Sequence, residues 1–327
     1  MSVLKKSLAL LAAGILMMAA LPASAAFPEK PVRLVLPWPA GGLADSVTRL
    51  VAERMAKSLG QNVVVENRAG ANGMIGTEAV ARSAPDGYTL VVGTIETMSL
   101  NPATYAKVPY DAAKDFEPVG MMVSVPLIIS ASTTSPSKLT SFKQLVSITK
   151  QSPGDVSYAS WGDGSSPHLF MEMINQPAGL SMLQVPYKGT SPAMVDVLAG
   201  RVDLILVSYQ TGQSHYKSER LRPLAVTGNK RLSVLPDVPT VAESGHPQFD
   251  AALWYSILAP AGTPSAVIER LNAAMRDAVN DTEFKARMQV SGAAVLGGTP
   301  ADARGFIEND RAKALAISKS LGIAQKF

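Results

Sequence analysis

The chain has 327 residues, 47% of them hydrophobic and 17% charged, with a net charge of +4 at pH 7 and no cysteine. A chain of this size and apolar content can bury two ordinary cores, so two lobes are the natural expectation. The near balance of charge, without a basic block, excludes a nucleic-acid surface, and the lack of cysteine excludes disulfides and a cysteine-linked lipid anchor.

The N-terminus reads as a secretory signal peptide: Lys5 and Lys6 precede the apolar stretch Ser7 to Leu21, and Ala23-Ser24-Ala25 supplies a small-residue cleavage site. The apolar stretch falls short of the roughly 20 residues that span a bilayer. Cleavage after Ala25 removes two lysines and no acid, leaving a nearly neutral, soluble, exported chain.

Val32 to Leu36 is a β-branched apolar run, followed by Gly41-Gly42 and a helical pattern with Val47, Leu50, Val51, Met55 and Leu59 on one face and Gly60 as its stop. A strand at Val63 to Glu66, a helix over Met74 to Ala81 and a strand at Thr89 to Gly93 complete a βαβαβ unit, which implies a parallel sheet covered on both faces. The alternation restarts with Leu127 to Ser130 and continues with a helix at Ser141 to Lys150, a strand at Val156 to Ser160 and a helix at His168 to Asn175. It then runs through Leu183 to Tyr187, a helix at Pro192 to Leu198, and strands at Asp203 to Val207 and Arg222 to Thr227. Val238 to Ala251 has the composition of a connection, and Trp254 to Leu258 resumes a strand. Thr263-Pro264 is expected to cap one helix and Thr299-Pro300 to start another, which packs back on the first lobe.

Catalytic signatures are mostly missing. His168, His215 and His246 form no metal-ligand spacing, and no Gly-x-Ser-x-Gly elbow is present. Two loops instead suit an anion. Pro37 to Asp45 lies between a strand and the start of a helix, where backbone N–H groups and the helix dipole favour a carboxylate and where Gly41 and Gly42 permit close approach. Ser160 to His168 occupies the equivalent place in the second unit, so the two can face each other across a cleft at the carboxyl ends of the strands. Lys188, in the turn Tyr187-Lys188-Gly189, is a further candidate for pairing an anion.

The sequence also resembles the Bug-type extracytoplasmic receptors of tripartite tricarboxylate transporters, from about Phe27 to the C-terminus. The resemblance is carried by Pro37 to Asp45, Asn67 to Gly76, Ala84-Pro85-Asp86-Gly87-Tyr88-Thr89-Leu90, Val185-Pro186-Tyr187-Lys188-Gly189, Leu198 to Asp203, Leu235 to Thr240 and Ala259 to Pro264. It implies an α/β type II periplasmic-binding-protein fold, two doubly wound lobes around a cleft, with the receptor in the periplasm and no enzymatic activity. Its expected boundaries are a signal peptide at 1–25, a first lobe of 26–123 with 248–327, and a second lobe of 124–247. The resemblance implies ligand-binding roles for Trp38, Ala40, Gly41, Gly42 and Asp45 in the first lobe, and for Ser160, Gly162, Gly164, Ser165 and His168 in the second. Trp161 stands where family members commonly carry a small residue, and Asp163 where they carry Asn, so Trp161 joins the candidates as a residue that tunes the pocket. The expected partners are a small carboxylate and the membrane subunits of a transporter, with no cofactor, no metal, no nucleic acid and a monomeric receptor. A sensor for a signalling kinase and an ester hydrolase remain open as alternatives at this point.

Overall fold

The computed structural model describes residues 27–327, so the signal-peptide reading lies outside the described residues. The chain begins with β1 (Val32–Leu36), α1 (Leu43–Leu59), β2 (Val63–Asn67), α2 (Met74–Ala81) and β3 (Thr89–Thr94), followed by a wide helical turn at Glu96–Leu100 and the short α3 (Asn101–Thr104). Two long connections through helices make β1 parallel to both β2 and β3, as the alternation of strand and helix requires. In α1, Val47, Val51, Met55 and Leu59 recur every fourth residue and are buried. Each such burial contributes about 1.5–3 kcal/mol, which stabilises α1 against its neighbours more than helix propensity does. The helix ends at Gly60, whose φ of +72° lets its N–H return to the Ala56 carbonyl at 3.0 Å.

The sheet is mixed rather than wholly parallel, because the chain continues through a strand that sequence reading passes over. This is β4 (Phe116–Pro126), interrupted by Pro118, Gly120 and Pro126, all of which read as strand breakers. It nevertheless pairs along its whole length, antiparallel, with β10 (Ala252–Pro260). The register slips where Ile257 faces Gly120 and Leu258 faces Pro118, so Val119 is passed over and the missing proline N–H is absorbed in a bulge. At Gly120 a Cβ would come within 2.2 Å of the Met275 methyl, so glycine is what lets the covering helix lie close.

From β4 the chain passes at Leu127 into β5 (Ile128–Ser132), α4 (Phe142–Gln151), β6 (Ser157–Ser160), α5 (Ser166–Ala178), β7 (Leu183–Pro186), α6 (Thr190–Leu198), β8 (Leu204–Val207), α7 (Tyr209–Lys217) and β9 (Leu221–Val226). These strands form a second sheet in the order β7-β6-β8-β5-β9, with β6 parallel to β7 and β8 and with β5 antiparallel to β8 and β9. The chain returns with β10 (Ala252–Pro260), α8 (Ser265–Asn280), α9 (Thr282–Val290), β11 (Ala294–Gly297) and α10 (Pro300–Ser320), completing the first sheet as β11-β4-β10-β3-β1-β2.

Three of these elements leave little sequence signal. In α7 only Gly212 is buried, so no apolar stripe announces it, although Ser208 caps it by accepting the Thr211 N–H. β11 is a four-residue edge, and α9 begins at an Asp281 cap one residue after α8 ends. Thr263 does not cap α8 with its side chain; its hydroxyl donates to the Pro260 carbonyl at 2.7 Å. Thr299 does cap α10, in a reciprocal box with Asp302.

At the two passages between sheets, Leu127 and Thr227 are tied together. The Leu127 N–H donates to Thr227 Oγ1 at 2.8 Å and the Thr227 N–H to the Leu127 carbonyl at 2.9 Å. α10 packs on β4 and on the 96–104 segment, but its end goes further than the expected first-lobe contact. Gln176 of α5 donates to the Leu321 carbonyl at 2.9 Å, and the Phe327 ring lies 5.7 Å from that of His168. Among the described residues no helix is long and apolar enough to cross a membrane.

Candidate functional site

The two anticipated loops sit at the carboxyl ends of β1 and β6 and meet each other. The Trp38 and Trp161 rings approach edge to face, with centroids 6.3 Å apart and planes inclined by 60°. Both rings are only partly buried. Two cavities lie beyond this contact: a crevice of about 650 Å³ touching Ser46 and Arg49 of α1 and Tyr209 of α7, and a groove of about 1200 Å³ beside α4, the 237–249 connection and the end of α10.

In the first loop, the amide of Gly41 is already committed: it donates to the Asp45 carboxylate at 3.1 Å. Asp45 also accepts from Arg49 at 2.9 Å and from Asn67 Nδ2 at 2.9 Å, and Asn67 in turn donates to the Trp38 carbonyl at 3.0 Å. Burial pushes the Asp45 carboxyl upward, but these three donors together outweigh it and hold the group below its ordinary range. Asp45 is therefore the brace of the loop. Gly41 takes a φ of +86°, which suits glycine, whereas Gly42, at −86° and 179°, has an ordinary extended backbone and open space where a Cβ would stand. Gly42 is the N-cap of α1, and no chain acceptor pairs with the amides of Gly42, Leu43 and Ala44 among the described residues. These amides project along the helix axis at its positive end, an arrangement that suits an anion. Of the Gly41-Gly42 pair, the Gly41 amide is thus paired within the chain and the Gly42 amide is not. Ala40 is exposed on the approach to it.

The second loop is built differently. Ser160 is buried at the end of β6, where its Oγ accepts from Gln184 Nε2 at 2.8 Å and from the Gly162 amide at 3.2 Å, leaving its own proton to donate elsewhere. The Ser165 hydroxyl donates to the Gly162 carbonyl at 2.6 Å rather than capping α5. The Gly164 amide donates to His168 Nδ1 at 3.1 Å. Burial lowers the His168 pKa and the ring accepts through Nδ1, so it is the neutral form that holds the loop. Lys188 is exposed on the neighbouring turn, which is tied to this loop by the Tyr187 N–H donating to the Ser160 carbonyl at 2.9 Å.

This loop is also gripped from the first sheet's side by residues that sequence reading does not single out. The Tyr105 hydroxyl donates to the Asp163 carbonyl at 2.7 Å, and a Cβ on Gly164 would lie 2.7 Å from Thr104 Oγ1 and 2.9 Å from the Tyr105 ring. Ser166, in the first turn of α5, donates to Glu96 at 2.6 Å. Glu96 is fully buried, and burial raises its pKa despite the Ser166 bond. Nothing in the local sequence around Glu96 announces that role, because its partner lies 70 residues away.

Two mixed α/β sheets, joined by two passages and closed against each other by loops at the carboxyl ends of their strands, define a type II periplasmic binding protein, a class of solute receptors. The chain belongs to the tripartite tricarboxylate transporter family receptors, which it matches over residues 47–323. It is 36% identical to the protein BugT of Bordetella pertussis strain Tohama I over 302 residues, covering 92% of each chain. Among solved structures, the periplasmic binding protein BugD is similar at 36% identity and a TM-score of 0.84, over 91% of this chain and 99% of that one. The R. palustris protein Rpa4515, solved with adipate, is similar at 34% identity and a TM-score of 0.86, over the same shares of the two chains. The chain is a periplasmic solute-binding receptor of this family and not an enzyme.

Proposed function

We propose that this receptor captures a small organic carboxylate at the N-terminus of α1 and presents it to the membrane subunits of a tripartite transporter. The observation that carries the reading is the set of Gly42, Leu43 and Ala44 amides, without chain partners, at the foot of the loop that meets the second lobe. The adipate held by the R. palustris relative supports the ligand class. In this reading residues 26–123 and 248–327 form one lobe and 124–247 the other, and they move about the Leu127–Thr227 tie as a monomeric receptor opens and closes. Trp38, Ala40 and Gly42 form the first-lobe wall of the site. Ser160, Trp161 and Gly162 form the second, with Gly41, Asp45, Gly164, Ser165 and His168 holding the loops in shape and Lys188 at the rim.

The test is a four-way calorimetric comparison of the native protein and Gly42→Val against a bound carboxylate and its primary amide. The reading expects each change alone to weaken binding about tenfold to 150-fold, as for a lost hydrogen bond to a charged group, and the two together to cost little more than either. Fully additive losses would put the carboxylate elsewhere. Mass spectrometry of the small molecule released from freshly purified protein identifies the native ligand.

A further inference from the structure

The chemistry of the two loops narrows the ligand class. Segments 37–45 and 160–168 contain glycine, alanine, serine, proline and two tryptophans but no lysine or arginine. The only cation on the first turns of α1, Arg49, is engaged by Asp45 and Asn67, and His168 is held neutral by its environment. The charge that one loop adds is the carboxylate of Asp163, which is exposed. Helix-end amides can hold one carboxylate here, but a second one would lose its hydration beside two indoles with no cation on either loop to replace it, Lys188 standing on the neighbouring turn, while the second loop adds only the negative charge of Asp163.

The indoles themselves offer something positive. Trp38 stands four residues before Gly42, on a loop braced by Asn67, and Trp161 comes from the opposite lobe between the buried Ser160 and Gly162. Each ring is only partly buried, and the two are inclined rather than stacked, so aromatic surface remains on both loops, on the first one four residues from the Gly42 amide. Aromatic pairs in edge-to-face or offset contact gain attraction beyond the area they bury, which makes a flat ring the natural companion of this pair.

Resting on the carboxylate-receptor reading above, we propose that the ligand is an aromatic monocarboxylate, with its carboxylate on the α1 amides and its ring against Trp38 and Trp161. Calorimetry with benzoate, cyclohexanecarboxylate and adipate tests it, since the first two share one charge and similar size but only the first is flat and aromatic. Benzoate is expected to bind tightest and adipate weakest. Trp161→Ala should weaken benzoate about tenfold while changing adipate less than about threefold, and Trp161→Phe should recover most of the loss. Melting curves of both variants establish that they are folded. Adipate binding as tightly as benzoate, or a benzoate affinity no greater than that of cyclohexanecarboxylate, overturns the aromatic assignment and leaves the carboxylate reading standing. Adipate binding that is lost in Lys188→Ala overturns it as well, because the rim lysine would then pair with the second carboxylate. Binding of none of the three, with an amide or a cation released from the purified protein instead, overturns the carboxylate reading and the aromatic assignment together.

Discussion

The loops after β1 and β6 occupy equivalent places in their sheets, yet they spend their polar groups differently. The first keeps the amides of Gly42, Leu43 and Ala44 unpaired and assigns its bracing to Asp45, Arg49 and Asn67. The second turns the amides of its two glycines and its Ser165 hydroxyl inward, Gly162 on Ser160, Gly164 on His168 and Ser165 on Gly162, and is held from outside by Tyr105 and Glu96. A strand-to-helix loop with two glycines is therefore not an anion site by virtue of its sequence alone. What decides is whether the chain itself has already used the donors.

That contrast can be broken first at the glycines. Gly42→Val should weaken carboxylate binding about tenfold to 150-fold with little change in the ligand-free melting temperature, since its backbone is ordinary and its Cβ meets nothing within 4 Å. In the second loop Gly164→Ala should act on folding instead. Its φ of +69° and the contacts at 2.7 and 2.9 Å force the loop away from Thr104 and Tyr105, at a cost of about 1–3 kcal/mol in a denaturant melt. If Gly164→Ala melted like the native protein, the grip on the second loop would be unimportant.

A smaller effect sharpens the same comparison through pH. Burial raises the folded-state pKa of Glu96, so the folded protein holds its proton more tightly than the unfolded chain does. The stabilisation is then complete below the ordinary value of 4.5 and declines as pH rises through the raised folded value. Asp310, which burial also raises while it accepts from Trp254 at 2.9 Å, adds a decline of the same sign. Glu96→Gln should flatten part of the slope above pH 4.5 and leave the Asp310 part, as read by melting temperature across pH 5 to 8; an unchanged slope would mean that Glu96 ionises freely. Ser166→Ala, which removes only the hydroxyl that meets Glu96, should cost about 1 kcal/mol.

Much of this was legible in the chain. The periodicity of Val47, Val51, Met55 and Leu59 and the Gly60 stop define α1, and Thr299 marks the start of α10 correctly. β4 escapes because Pro118 and Gly120 are local breakers whose tolerance depends on a bulge opposite Leu258 and on the approach of Met275, both non-local facts. α7 escapes because its buried face is nearly absent. The candidate site was legible as two loops but not as a division of labour. The commitments of Gly41, Gly164 and Ser165 are set by hydrogen bonds within each folded loop, and the Glu96–Ser166 contact by packing between lobes.

In the proposed receptor the α1 amides, and not those of the second loop, receive the carboxylate. The direct measurement is a backbone amide NMR titration with the tighter binder of benzoate and adipate. Gly42, Leu43 and Ala44 are expected to show the downfield proton shifts of new charged hydrogen bonds, while Gly41, Gly162 and Gly164 keep the bonds they already make. The reverse pattern, with the large shifts at Gly162 and Gly164 and none at Leu43 and Ala44, would contradict it.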